Sequence, residues 1–242
     1  MPQAATTRAT QSYTPALGYK ALTPLYDLAI RLLTSEATWR RALIEEIAPA
    51  KGDWVVDVGC GTGSLLLGLH KACPEAELLA VEPDPEALAI SKRKFKSSQA
   101  NVRWHNGFIH EVEPEGDRAP NKIVSSLVFH QVPLPEKAVI LDRISQMLAA
   151  EGEFFVADYM KQGSAMMRGL FRMTVQQLDG VEDTQPNADG ILEQLIAERF
   201  SNVRRVAQFN TLTGCISVWR GTKPSAEHGT NVEGAKEGKG NG

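Results

Sequence analysis

Apolar residues fall along this chain in two alternating rhythms. Short, nearly unbroken runs such as Trp54-Val55-Val56-Asp57-Val58, Leu78-Leu79-Ala80-Val81 and Phe154-Phe155-Val156-Ala157 read as strands apolar on both faces. Between them apolar residues recur every three or four positions, the spacing of one helix face, as in Ala138, Ile140, Leu141, Ile144, Met147 and Leu148. Val102 to His105 adds a third short strand, and Lys122 to Val132 a fourth that runs into a loop. Val203 to Phe209 and Cys215 to Trp219, joined by Asn210-Thr211-Leu212-Thr213-Gly214, form a closing hairpin. Strand–helix alternation of this kind predicts right-handed crossovers and a mostly parallel sheet.

Helices are expected from Leu22 to Ile30, with Pro24 just inside the start, and from Trp39 to Ile47. A leucine-rich helix follows Gly63 and runs to Lys71. The helix from Lys137 to Leu148 follows Pro133 and Pro135, and the last one spans Ile191 to Phe200. Between residues 160 and 186 the alternation breaks. Met166, Met167, Leu170, Phe171, Met173, Val175 and Leu178 predict an inserted helix with a methionine- and phenylalanine-rich face, stopped by Asp179-Gly180. Methionine adapts to apolar ligands, so this insertion beside the crevice is expected to be a substrate lid. Residues 1–18 and 221–242 lack core residues and are expected to be tails, leaving one domain over 19–220.

Composition changes this picture little. With 242 residues, 43% of them hydrophobic, the chain has enough material for one buried core. A net charge of −3 offers nucleic acid no general attraction, and no apolar run reaches the length of a membrane span. Cys60, Cys73 and Cys215 have no metal-finger spacing, which suits reduced thiols in a cytoplasmic protein. The cluster His105, His110, Glu111 and Glu113 matches no standard site, so no metal is expected.

Candidate chemistry concentrates where the first strand meets its helix. Gly59, Gly61 and Gly63 bring the backbone within reach of a ligand, and the helix behind them presents free N–H groups. The spacing is not the dinucleotide pattern G-x-G-x-x-G, because Ser64 stands where a glycine would be needed. It is D-x-G-x-G-x-G, with Asp57 two residues before the first glycine. The second strand ends at Glu82, a suitable place for a carboxylate that grips ribose hydroxyls.

These two motifs in register resemble the class I S-adenosylmethionine-dependent methyltransferases. Leu25-Tyr26-Asp27, Ser125 to His130, Leu178 to Thr184 and Phe209-Asn210-Thr211 further resemble the group related to ubiquinone/menaquinone-biosynthesis C-methyltransferases. The resemblance covers about residues 22 to 220. It implies a Rossmann-like, doubly wound α/β fold with a seven-stranded, mostly parallel sheet, an antiparallel last strand and N-terminal cap helices. It implies S-adenosylmethionine as cofactor. Asp57, Gly59, Cys60, Gly61, Thr62 and Gly63 would then hold the methionine part, and Glu82, with Pro83 and Asp84 after it, the ribose. Gly107 and Phe108 would flank the adenine. Ser125, Ser126 and Leu127 would lie under the methionyl end, with Tyr26 in a cap above. Where the family often has an adenine-binding Asp, this chain has Asn106, whose amide oxygen can accept the same hydrogen bond.

A sulfonium methyl is already electrophilic, so holding the acceptor in line can supply up to about 7–11 kcal/mol without an acid/base triad. His130, just past the fourth strand, is the candidate general base, with Asp158 and Tyr159 as weaker candidates for orienting substrate. The expected partner is a small, partly apolar metabolite, not nucleic acid, and the sequence leaves the oligomeric state open. Two other readings stand beside methyl transfer: a cofactor-binding regulatory or assembly protein without turnover, and an NAD(P)-dependent dehydrogenase on a similar fold.

Overall fold

A computed structural model describes residues 34–225, apart from Gln99, Pro114, Glu115 and Asp117. The expected tail over residues 1–18, the first cap helix and Tyr26 lie outside the described residues, as does the chain beyond residue 225.

The strands are β1 (Trp54–Val58), β2 (Glu77–Glu82), β3 (Val102–Asn106), β4 (Lys122–Ser126), β5 (Glu153–Tyr159), β6 (Ser201–Thr211) and β7 (Gly214–Thr222). They form one seven-stranded sheet in the order β3-β2-β1-β4-β5-β7-β6. β1 pairs in parallel with both β2 and β4, β2 with β3, and β4 with β5; β7 runs antiparallel to β5 and β6. The expected doubly wound sheet with its antiparallel last strand is therefore present. Every residue of β1 is buried, as its unbroken apolar run requires of a central strand covered on both faces.

Helices α1 (Glu36–Ile47), α2 (Ser64–Ala72) and α3 (Pro85–Lys94) cover one face, where Trp39, Leu43, Leu66, Leu69 and Leu88 join a core with Val55, Phe155 and Ile216. Helices α4 (Leu134–Met147) and α8 (Ile191–Arg199) cover the other, where Leu141, Ile144, Leu192 and Ile196 meet Val56, Phe154 and Val156. The chain leaves β1 toward β2 on one side and returns to β4 on the other. That reversal opens a crevice beyond the carboxyl ends of β1 and β4.

Several boundaries differ from the sequence expectation. β4 stops at Ser126, because Leu127 turns to a φ of 54° and a 3₁₀ turn follows over Phe129–Gln131. α4 begins a turn earlier than Lys137, with Pro135 in its first turn, where no N–H is needed. The insertion is three helices rather than one: α5 (Ala165–Met173), α6 (Val175–Asp179) and α7 (Val181–Asp189). Pro186, expected to end the insertion, sits inside α7. At the far end β7 continues through Thr222, and the Lys223 N–H donates to the Gly152 carbonyl, so the fold runs past residue 220.

Gly63, at φ 76°, caps α2, and a Cβ there would overlap the Ser91 side chain on α3. The Gly63→Ala variant should therefore lose about 1–3 kcal/mol of stability in urea unfolding, from backbone strain and overpacking. Adding Ser91→Ala should recover the overlap portion; no recovery would assign the whole loss to φ.

Candidate active site

A cleft of about 750 Å³ opens over the carboxyl ends of the parallel strands. On its β2 side the Glu82 carboxylate is fixed by backbone. Oε2 accepts the Gly61 N–H at 2.8 Å, and Oε1 accepts the Asp84 N–H at 3.0 Å. Burial pushes the Glu82 carboxyl up from its ordinary range, and those two donors partly offset the shift. Asp84 also caps α3, its side chain accepting from the N–H groups of Glu86 and Ala87. Asn106 donates its amide N–H groups to the carbonyls of Glu82 and Pro83 at 2.9 and 3.1 Å. The Phe108 N–H donates to Glu111 at 2.7 Å, and the Phe108 ring stacks on His110 at 5.5 Å between centroids.

Asp57 lies beneath the glycine turn and is fully buried, and neither carboxylate oxygen has a hydrogen-bond partner among the described residues. Burial pushes its carboxyl up to about 7; the charge of Arg40 opposes this and that of Glu82 reinforces it. Arg40 pairs with Glu36 one turn back on α1, and both line the cleft. The Cys60 thiol beside them stays protonated, because burial and the neighbouring Asp57 and Glu82 charges disfavour a thiolate. Lys94 Nζ donates to the Thr62 and Ser64 hydroxyls at 3.1 Å each, pinning α3 to the turn.

On the β4 side Ser125 donates to the Val58 carbonyl at 2.9 Å and so ties β4 to β1 behind the cleft. Asp158, fully buried at the end of β5, accepts the N–H groups of Val128 (3.0 Å), Phe129 (2.7 Å) and Tyr159 (2.7 Å), and its Oδ1 lies 2.7 Å from His130 Nδ1. The other ring nitrogen of His130, Nε2, faces the Asp179 carboxylate on the insertion at 3.5 Å. Burial alone would strip the imidazole of its proton. The charge and hydrogen bonds of Asp158, then those of Asp179, outweigh it and raise the ring to about 9. The candidate general base of the sequence is therefore a ring whose two nitrogens both face carboxylates, which favours its protonated form. Tyr159 reaches the cleft edge with its hydroxyl 2.6 Å from that of Thr213.

Most residues singled out in the sequence thus meet at one cleft. Gly59, Cys60, Gly61 and Thr62 line it from β1, and Glu82, Pro83 and Asp84 from β2. Gly107 and Phe108 line it after β3, and Ser126, Leu127 and His130 after β4. Asp57, Gly63 and Ser125 stand behind the wall as support. Sequence reasoning missed Glu36, Arg40, Lys94, Asp179 and Asp183, which also line it. Lys94 read as part of a solvated helix face, and Asp179 and Asp183 belong to the Leu178–Thr184 segment noted only for its resemblance.

The sheet order, the glycine turn after β1 and the acid ending β2 define the class: a Rossmann-like methyltransferase domain. Residues 55–152 match the family described as methyltransferase domain. The chain is 27% identical over 165 residues to a demethylmenaquinone methyltransferase of Thermus thermophilus, covering 66% of this chain and 72% of that protein. It is 22% identical over 156 residues to a ubiquinone/menaquinone biosynthesis C-methyltransferase UbiE of Syntrophotalea carbinolica, covering 64% of this chain and 65% of that one, just under two thirds of its length. The fold is shared with the plantazolicin methyltransferase BpumL, solved in complex with SAH, at a TM-score of 0.58 and 13% identity over 84% of this chain and 89% of that one. Residues 55–152 thus carry a methyltransferase domain, and the chain is similar to S-adenosylmethionine-dependent methyltransferases of the UbiE group.

S-adenosylmethionine is the cofactor of this family, and the cleft suits it. An orphaned buried carboxylate at Asp57 lacks the positive charge that such a ligand brings, and the glycine turn leaves backbone exposed to it. The titration sign follows from the raised Asp57 value. Its contribution to folding is largest below the ordinary carboxylate range and is lost as pH rises through about 7. Ligand-free Asp57→Asn should therefore gain thermal stability over the wild type between about pH 4 and pH 7, with the gap constant above that. The same variant should bind S-adenosylhomocysteine more weakly. A gap that does not open with pH would show that Asp57 is ionised and paired in the free protein.

Proposed function

We propose that this protein transfers a methyl group from S-adenosylmethionine to a small, partly apolar metabolite by in-line displacement. The observation that carries this reading is the continuity of the cleft: the polar half at the glycine turn and Glu82 runs into a half walled by Val132, Val175 and Leu178. Tyr159, Thr213 and Thr174 supply hydroxyls at the edge of that apolar half. The relatives named for demethylmenaquinone are consistent with such an acceptor.

In this reading each Glu82 oxygen spends one lone pair on a backbone N–H and keeps another for a ribose hydroxyl. Phe108 walls the adenine, and the Asn106 amide is oriented by its two carbonyl contacts so that its oxygen accepts from the adenine amino group. The bound cofactor supplies an electrophilic methyl carbon. The protein's own work is alignment and exclusion of water by the insertion over residues 160–186, which acts as the lid. His130 pairs with Asp158 through Nδ1 and faces Asp179 on the lid through Nε2; a base role would need Asp179 to leave Nε2.

Glu82→Ala should weaken S-adenosylhomocysteine binding at least tenfold by calorimetry, since a hydrogen bond to a charged acceptor contributes about 1.5–3 kcal/mol. Unchanged affinity would remove Glu82 from the site. Incubating the protein with isotope-labelled methyl donor and a fractionated metabolite extract should place label in an apolar small-molecule fraction. No transfer above a heat-killed control, with adenosylhomocysteine binding intact, would favour the reading of a cofactor binder without turnover.

A further inference from the structure

The lid bends over the cleft at Gly180, whose φ of 84° separates α6 from α7. Residues 177–182 bury no apolar side chain: Leu178 and Val181 are 60% and 53% exposed. The flanking parts are anchored differently, by Met167, Phe171 and Val175 in the core and by Asn187 Nδ2, which donates to the Tyr159 carbonyl at 2.8 Å. Something other than hydrophobic burial must therefore hold the bend.

Two buried side chains reach it, His130 from the segment joining β4 to α4 and Lys137 from the first turn of α4. His130 Nε2 faces Asp179, one residue before Gly180. Lys137, fully buried in α4, donates from Nζ to the Asp183 carbonyl at 2.8 Å, three residues after Gly180, and to the Val132 carbonyl at 2.5 Å. The segment carrying His130 is itself fixed by the bonds from Asp158 to Val128, Phe129 and His130. We propose that His130 and Lys137 are positioning residues that clamp the lid bend on either side of Gly180 and so set the wall of the acceptor site, which swings at Gly180 to admit the acceptor. This rests on the reading of residues 160–186 as the lid.

The charges around each group give the clamp a testable signature. His130 is faced by Asp158 from β5, by Asp179 from α6 and by the Tyr159 ring edge. Lys137 has Asp158 and Asp183 as its nearest charges. The imidazolium–Asp179 attraction is present at neutral pH and is lost as pH rises through about 9. Burial lowers Lys137 to about 8 against the pull of Asp158 and Asp183, but a neutral amine still has hydrogens for both carbonyls.

Amide hydrogen exchange by mass spectrometry on the ligand-free full chain tests this. No methyl donor or acceptor enters the assay, so its outcome is separate from that of the transfer experiment. Lys137→Met should speed exchange over residues 176–186 at least tenfold at pH 7, leaving α8 and β1 within twofold. Asp179→Asn should also speed it at pH 7. After correction for intrinsic rates, that difference from wild type should vanish above about pH 9–10, where the imidazole has lost its proton. Lid exchange unchanged in both variants overturns the proposal, as does an Asp179→Asn effect independent of pH, or acceleration spreading evenly through the sheet in Lys137→Met. Should Lys137→Met not fold, Asp179→Asn, which alters a side chain at the cleft wall, decides the matter through its pH response.

Discussion

Wherever a parallel strand ends beside a cleft, backbone N–H groups are left that no neighbouring strand can accept. An unsatisfied buried amide costs about 1–3 kcal/mol, so the ends of these strands need acceptors that are not backbone. Two buried carboxylates provide them. Glu82 takes the N–H groups of Gly61 and Asp84 and so joins the turn after β1 to the turn after β2. Asp158 takes those of Val128, Phe129 and Tyr159 and so fixes the exit from β4. These two groups close the edges of the cleft.

The same solution leaves carboxylates at the cleft and beneath it. Asp57 has no compensating hydrogen bond, and its raised carboxyl reflects the cost of that burial. A buried carboxyl of this kind sacrifices some stability of the protein. Asp158 is the opposite case: four contacts satisfy it, and it fixes the segment from which His130 faces Asp179. One buried acid lacks hydrogen-bond partners among the described residues, while the other is fully engaged in holding structure.

Much of this was legible in the order of residues. The unbroken apolar run of β1, the glycine spacing after it and the acid at the end of β2 are local signals, and each arises within a few residues of chain. Their consequence, a ligand turn at the reversal of strand order, follows from general rules of parallel sheets. The interior of the insertion was not legible. The apolar pattern suggested one helix ending at Asp179-Gly180, but Thr174 breaks it in two, and a third helix follows Gly180 with the Asp183 carbonyl held by Lys137. Nothing within residues 160–190 announces a lysine from α4.

Local residue order was enough for the fold class, the glycine turn and the carboxylate of β2, because short-range periodicity and glycine placement dictate backbone shape locally. Three-dimensional packing set the charges facing His130, the isolation of Asp57 and the docking of the insertion. Those properties depend on burial and on charges brought together from β5, α1, α4 and α6, and no local pattern encodes the distance between them.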